Sequence, residues 1–243
     1  LVLELAADGG GFTLAEMVPP ESFTMTAAGL TDAQNQPTPS GHAPVPLGEA
    51  RVPLLERTQV APEAAALYDK LLADRGCVPN MFKALGNVPA LALGIAALLK
   101  PLMGEGALPA VFKELVATQV AALNDCAYCV SAHRYLALQR GATLEQVACL
   151  DGSREDGSSK DGSSQNNAFE AGPFSAKDKA GFRYAALLHL SGHAIDEAAY
   201  AAVSAHFNPA ELIELTAVAA AFEFFPRINS ALRIPVTPLP ETT

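Results

Sequence analysis

The chain has 243 residues, half of them apolar, with 16 Lys and Arg against 26 Asp and Glu, a net charge of −10. That length can bury a sizeable core as one large domain or two small ones. The lack of clustered cations excludes nucleic acid as a partner, because phosphate binding needs them.

The acidity is uneven. Residues 1–50 hold six acidic and no basic residues together with six prolines and six glycines, a composition that predicts a flexible leader. The chain begins at Leu1, and Met25 is the expected alternative start. No basic stretch precedes an apolar one near Leu1, so these residues show no secretory signal. The longest mostly apolar stretch, Val88 to Leu99, is too short to span a bilayer and is broken by Gly94. Four cysteines are too few for a disulfide scaffold in a chain this long. A cytoplasmic, reducing setting without membrane contact is therefore expected, with Cys77 and Cys149 as buried thiols.

Alanine and leucine are abundant, tryptophan is absent, and β-branched runs are few. These preferences predict an all-α domain over residues 51–243. PEAAALYDKLLADRG, from Pro62, reads as a helix with proline in its first turn and Gly76 past its end. Two helical pieces follow, parted around Asn87 to Pro89. Phe112, Leu115, Val116, Val120 and Leu123 then recur at helical spacing, with Glu114 just off that apolar stripe. Asn124 and Asp125 are expected to stop this helix and cap the next, which runs from about Cys126 to Gln139 and closes at Gly141. Thr143 to Gln146 has capping-box form.

Residues 151–165 are three pentads, DGSRE, DGSSK and DGSSQ. Their spacing matches neither an EF-hand loop nor the calcium-binding nonapeptide repeat. A disordered insertion over 151–172 is expected. Ser175 to Asp178 caps the next helix, which ends near Ser191 and Gly192. Another covers about Asp196 to His206, and Asn208 with Pro209 opens the last, interrupted at Pro226. The tail from Pro235 should be extended.

The chemistry gathers in KELVATQVAALNDCAYCVSAHRY, residues 113–135. On a helix beginning near Cys126, Cys129 is about one turn on and His133 about one further, so all three share a face. The thiolate is the reactive form of cysteine, and a helix N-terminus and a nearby base both favour it. His133 can relay a proton, and Glu114 can fix its tautomer if the break at Asn124 folds one helix back on the other. A second cysteine three residues away can trap a sulfenic acid as a disulfide before irreversible oxidation. That suits a thiol peroxidase or a disulfide oxidoreductase.

A C-x-x-C pair can also be half of a zinc site, but no second ligand pair has the usual spacing. It can be an inert buried pair as well. His189 and His193 lie four apart without an H-E-x-x-H context, so a surface or satisfied core role is expected. His206 reads as a partner of a helix end.

Glu114, eleven residues, Cys126-Ala-Tyr-Cys129, three residues and His133 together resemble the E-x11-C-x-x-C-x3-H signature of the alkylhydroperoxidase D-like branch of the carboxymuconolactone decarboxylase superfamily. The resemblance runs from about Val52 to Pro238, apart from the pentads. Val78-Pro-Asn-Met-Phe-Lys-Ala84 and Arg227-Ile-Asn-Ser-Ala-Leu-Arg-Ile-Pro235 are similar to its peroxidase-related subgroup. The resemblance implies an all-helical fold in homo-oligomers and reduction of organic hydroperoxides. It implies Cys129 as the peroxidatic thiol, Cys126 as the resolving thiol, and Glu114 with His133 as the proton relay. Some family peroxidases carry a histidine immediately before the second cysteine; here that residue is Tyr128.

No bound cofactor, metal or nucleotide fingerprint is expected, so a partner dithiol, lipoamide-like or thioredoxin-like, would supply electrons. Two alternatives stand beside the peroxidase. One is a redox-sensing or disulfide-exchange module without peroxide turnover. The other is a muconolactone-type decarboxylase, a class that characteristically lacks the cysteine pair.

Overall fold

Helix α1 (Pro62–Arg75) opens on a proline, where the missing N–H has no intrahelical partner to lose, and closes at Gly76, whose φ of 71° is the left-handed conformation open to glycine. The computed structural model describes residues 49–152 and 168–238, all within the unit Leu47–Thr243. After α1 come α2 (Asn80–Leu85), α3 (Pro89–Met103), α4 (Ala110–Leu123), α5 (Ala127–Gln139) and α6 (Leu144–Ala148). Then follow α7 (Ala168–Ala171), α8 (Ala176–Leu190), α9 (Glu197–Ser204) and α10 (Pro209–Ala231), with short 3-10 turns at Arg57–Gln59 and Gly192–Ala194. The protein is all-α, and no strand occurs among the described residues.

The caps explain most of the boundaries. Thr143, Ser175 and Asn208 each accept from a backbone amide of the following first turn, and in all three capping boxes the third helical residue reaches back. Asp196 caps α9 through Ala199 N–H.

Helix α4 is the axis of the molecule and packs against α5, α8 and α10. Every residue from Phe112 to Ala121 is buried, so α4 has no polar face. The expected apolar stripe with Glu114 at its edge is replaced by a helix enclosed on all sides. Its polar side chains stay inside because they find partners. Lys113 Nζ lies 2.8 Å from Glu214 Oε2 and donates to Gly104 O. Thr118 Oγ1 donates to the carbonyl of Glu114, and Gln119 Nε2 to that of Phe182. Near the N-terminus of α4, Phe112 meets an aromatic layer in which Phe182 contacts Phe112, Phe169 and Phe174 at centroid distances of 5.6, 5.5 and 4.9 Å.

Four expectations need correction. Pro226 does not interrupt the last helix: α10 runs through it to Ala231 with Pro226 buried. The lost amide bond is outweighed by burial of Leu215, Val218, Phe222 and Phe225 on the same helix. The cap of α5 is Cys126 rather than Asn124 or Asp125: Asn124 ends α4, and Asp125 makes the turn at φ 50°. The insertion expected to reach Gly172 is helical over Ala168–Ala171, where Phe169 is 1% exposed. Cys77 and Cys149 are only partly buried. Residues 1–48 of the expected leader and residues 153–165 of the pentads lie outside the described residues.

Candidate active site

The turn at Asn124 and Asp125 reverses the chain, so α5 runs back along α4 and sets their side chains face to face. Asn124 Nδ2 donates to Val120 O and ends α4. Cys126 then occupies the cap position of α5, its sulfur accepting Cys129 N–H at 3.3 Å. The two sulfurs are 2.8 Å apart and share a hydrogen bond, and both cysteines are buried.

That hydrogen bond polarises the pair. Cys126 is held below the ordinary cysteine range, first by the Cys129 thiol that donates to it, against the opposing effect of burial. The Cys129 amide and the Ser230 hydroxyl add to the lowering. Cys129 is pushed up, first by giving its proton to that bond and then by burial, while Asn229 acts the other way. The ionisations of the two sulfurs therefore belong to the pair rather than to either cysteine.

One turn beyond Cys129, His133 Nδ1 is 2.6 Å from Glu114 Oε2 on α4. A buried carboxylate on Nδ1 holds the ring as the Nδ1–H tautomer and leaves Nε2 for proton exchange. The imidazole also stands edge-on to Phe222 at 4.3 Å, which limits its rotation. The second oxygen of Glu114 is 3.4 Å from Arg140 Nε, so the buried carboxylate has a partner on each oxygen.

A cavity of about 80 Å³ opens onto this cluster. Cys129, His133, Glu114 and Tyr128 line it; Cys126 does not. Its walls are mainly apolar, from Met81, Phe82, Leu99, Leu136 and Phe225, with Arg75 and Cys77 the polar groups on the α1 side. The Tyr128 hydroxyl accepts from Met81 N–H and from Thr237 Oγ1, both at 3.1 Å, and so ties α5 to α2 and the C-terminal stretch.

The structure thus brings together all four residues singled out from sequence, Glu114, Cys126, Cys129 and His133. It keeps His189 apart, as a satisfied side chain 2.8 Å from Glu223. Three contributors had gone unnoticed. Arg140 lies two turns beyond His133, on the same helical face, a periodicity that identifies it. Cys77 is a wall of the cavity rather than an inert core thiol. Asn229, whose Nδ2 is 3.4 Å from Cys129 Sγ, sits 100 residues away in the Arg227–Pro235 stretch already noted for its resemblance.

Residues 89–155, from α3 to just beyond α6, match the model of the carboxymuconolactone decarboxylase family. The matched segment, well under half of the chain, is similar to that family. An uncharacterized protein of Cupriavidus necator is 38% identical over 72 residues, which are 29% of this chain and 64% of that relative's length. The helical, alkylhydroperoxidase D-like fold is shared with a solved structure from Ralstonia eutropha, an alkylhydroperoxidase AhpD core described as an uncharacterized peroxidase-related protein. That likeness has a TM-score of 0.66 at 19% identity and covers 77% of this chain and 92% of the other. The debrominase Bmp8, solved in complex with 2,3,4-tribromopyrrole, has a TM-score of 0.60 at 19% identity and covers 76% and 91%. At such identities the shared property is the fold. Among the described residues no His, Cys, Asp and Glu cluster suits a metal ion, and no helix is long and apolar enough to cross a membrane.

Proposed function

We propose that the protein is a thiol-dependent peroxidase that reduces small organic hydroperoxides through Cys126 and Cys129, with Glu114 and His133 as the proton relay. The observation that carries this reading is that Cys129 lines the cavity together with His133, while Cys126 lies behind it at 2.8 Å. A peroxide entering the cavity meets Cys129 first. The lowered Cys126 site is then the internal base, because its thiolate takes the Cys129 proton along the sulfur–sulfur contact.

In the first step the Cys129 thiolate attacks the terminal oxygen of the hydroperoxide. The O–O bond breaks and the sulfur becomes a sulfenic acid. The first proton lost by the cysteine pair rests on His133 Nε2, and the departing alkoxide takes it and leaves as the alcohol; Glu114 stabilises the imidazolium before that transfer and fixes the ring after it. In the second step Cys126 attacks Cys129, the sulfenic hydroxyl leaves with the Cys126 proton as water, and a disulfide forms. Two electrons from a dithiol restore the thiols. Because the pair is buried, a slender lipoamide-like arm entering the cavity suits the geometry better than a thioredoxin-like surface. A homo-oligomer acting in the cytoplasm completes the proposal.

The test is a pair of variants with an alkyl hydroperoxide and a dithiol donor. Cys129→Ser should abolish turnover, and Cys126→Ser should stop after one oxidation with a sulfenic acid that dimedone traps. Full activity in both variants would refute the assignment. In the wild type, a single stoichiometric oxidation without turnover would favour the redox sensor instead.

A further inference from the structure

Among the described residues, three buried side-chain atoms lack a hydrogen-bond partner: Gln119 Oε1, Glu223 Oε2 and Asn229 Oδ1. Only Asn229 belongs to the cavity that holds Cys129. It is 2% exposed, and its Nδ2 donates to Cys129 Sγ at 3.4 Å. This orientation puts an amide donor on the sulfur of Cys129, which shares its other hydrogen bond with Cys126. Reversing the amide would turn a carbonyl toward a sulfur that must become negative. Asparagine is also a poor helix former, so α10 itself gains nothing from one here. An unsatisfied buried acceptor is costly and calls for an explanation.

The missing donor has a candidate of defined chemistry. A hydroperoxide ends in an O–H, and that proton needs an acceptor in a mainly apolar cavity. Tyr128 oxygen is already engaged by Met81 and Thr237, and the Glu114 carboxylate by His133 and Arg140, while His133 Nε2 holds the proton destined for the departing alkoxide. We propose that Asn229 is a further catalytic residue, whose Oδ1 accepts the hydroperoxide O–H and turns the terminal oxygen onto the Cys129 sulfur. This rests on Cys129 being the thiol attacked. When the S–O bond forms and the O–O bond breaks, the terminal oxygen keeps its proton. The same O–H then belongs to the Cys129 sulfenic acid and remains on Oδ1, while Nδ2 stays on the sulfur. The site accordingly favours peroxides with a terminal O–H over electrophiles without one.

The experiment compares two electrophiles in a Cys126→Ser background, each followed at the Cys129 peptide by mass spectrometry. An alkyl hydroperoxide offers an O–H to Oδ1, and iodoacetamide offers none. With Asn229→Ala and Asn229→Ser, oxidation of Cys129 at a pH where it is fully ionised should slow on the order of 100-fold. Alkylation at the same pH should change by no more than about three-fold. Parallel loss of both rates, or unchanged oxidation, overturns the proposal. If neither variant folds, a crystal structure of peroxide-treated Cys126→Ser decides. A sulfenic oxygen within hydrogen-bond distance of Asn229 Oδ1 is expected, and one directed away overturns it. Full turnover in Cys129→Ser would instead sink the peroxidase assignment on which this inference rests, so the two failures are distinguishable.

Discussion

At the scale of single residues, the 2.8 Å contact between Cys126 and Cys129 sets how the site titrates. The pair should lose its first proton below the ordinary cysteine range, because the remaining S–H stabilises the new thiolate, and its second only far above it. Alkylation of the pair measured against pH should therefore show an early rise that does not double at mildly alkaline pH. In Cys126→Ser that early rise should vanish, since Cys129 then lacks its thiolate partner. A Cys129 profile unaffected by the change would count against a shared proton. Glu114→Gln keeps the shape but removes the charge behind His133, and turnover should fall about 100-fold, within the range of general acid–base catalysis. Three residues of this relay were legible because helical spacing places Cys126, Cys129 and His133 on one face, and Glu114 was legible because the break at Asn124 folds its helix back toward them. Asn229 was not, since nothing local joins it to a cysteine 100 residues away. Only the packing of α10 against α5 makes them neighbours.

At the scale of elements, the position of α4 inside the bundle depends on Lys113 being neutralised. Lys113 is fully buried, and Glu214 on α10 supplies its counter-charge while accepting from Ala107 and Leu108 N–H. Desolvation raises the Glu214 pKa, but Lys113 and the two amides outweigh it, and the net shift is downward. A carboxylate depressed in the folded state contributes stability above its unfolded pKa and loses it as the pH falls through its folded value. Glu214→Ala should therefore cost about 3 kcal/mol near neutral pH, with a smaller penalty in acid, read by urea unfolding at both pH values. A penalty independent of pH would mean that packing, rather than charge, is what Glu214 supplies. Phe169→Ala should cost about 3–5 kcal/mol, because it empties the aromatic layer around Phe182. The contrast between these elements shows what sequence could reveal. Caps such as Thr143, Ser175 and Asn208 announce themselves within four residues, so the helix starts were readable. The continuation of α10 past Pro226 and the burial of Phe169 depend on tertiary contacts that override local breakers, and no local pattern contains them.

At the scale of the whole molecule, the peroxidase and sensor readings differ in how far oxidation must propagate. A disulfide between Cys126 and Cys129 would close a loop of only four residues in the first turn of α5, and the sulfurs already touch in the thiol form. Chain-entropy arguments give so short a loop about 2 kcal/mol of stabilisation, roughly 4–8 °C in Tm for a domain of this size. Neither α4 nor α10 has to move for it to form. Oxidised and reduced protein should therefore have the same helical circular dichroism and elution volume, and the oxidised form should melt a few degrees higher. A sensor must instead change a surface, which requires the bond to move the Asn124–Asp125 turn or detach α10 from Cys129. A loss of helicity, a shift in assembly size or a fall in Tm on oxidation would favour that reading. A catalytic disulfide works best when the scaffold is indifferent to its redox state, since each cycle then returns the same cavity to the next peroxide.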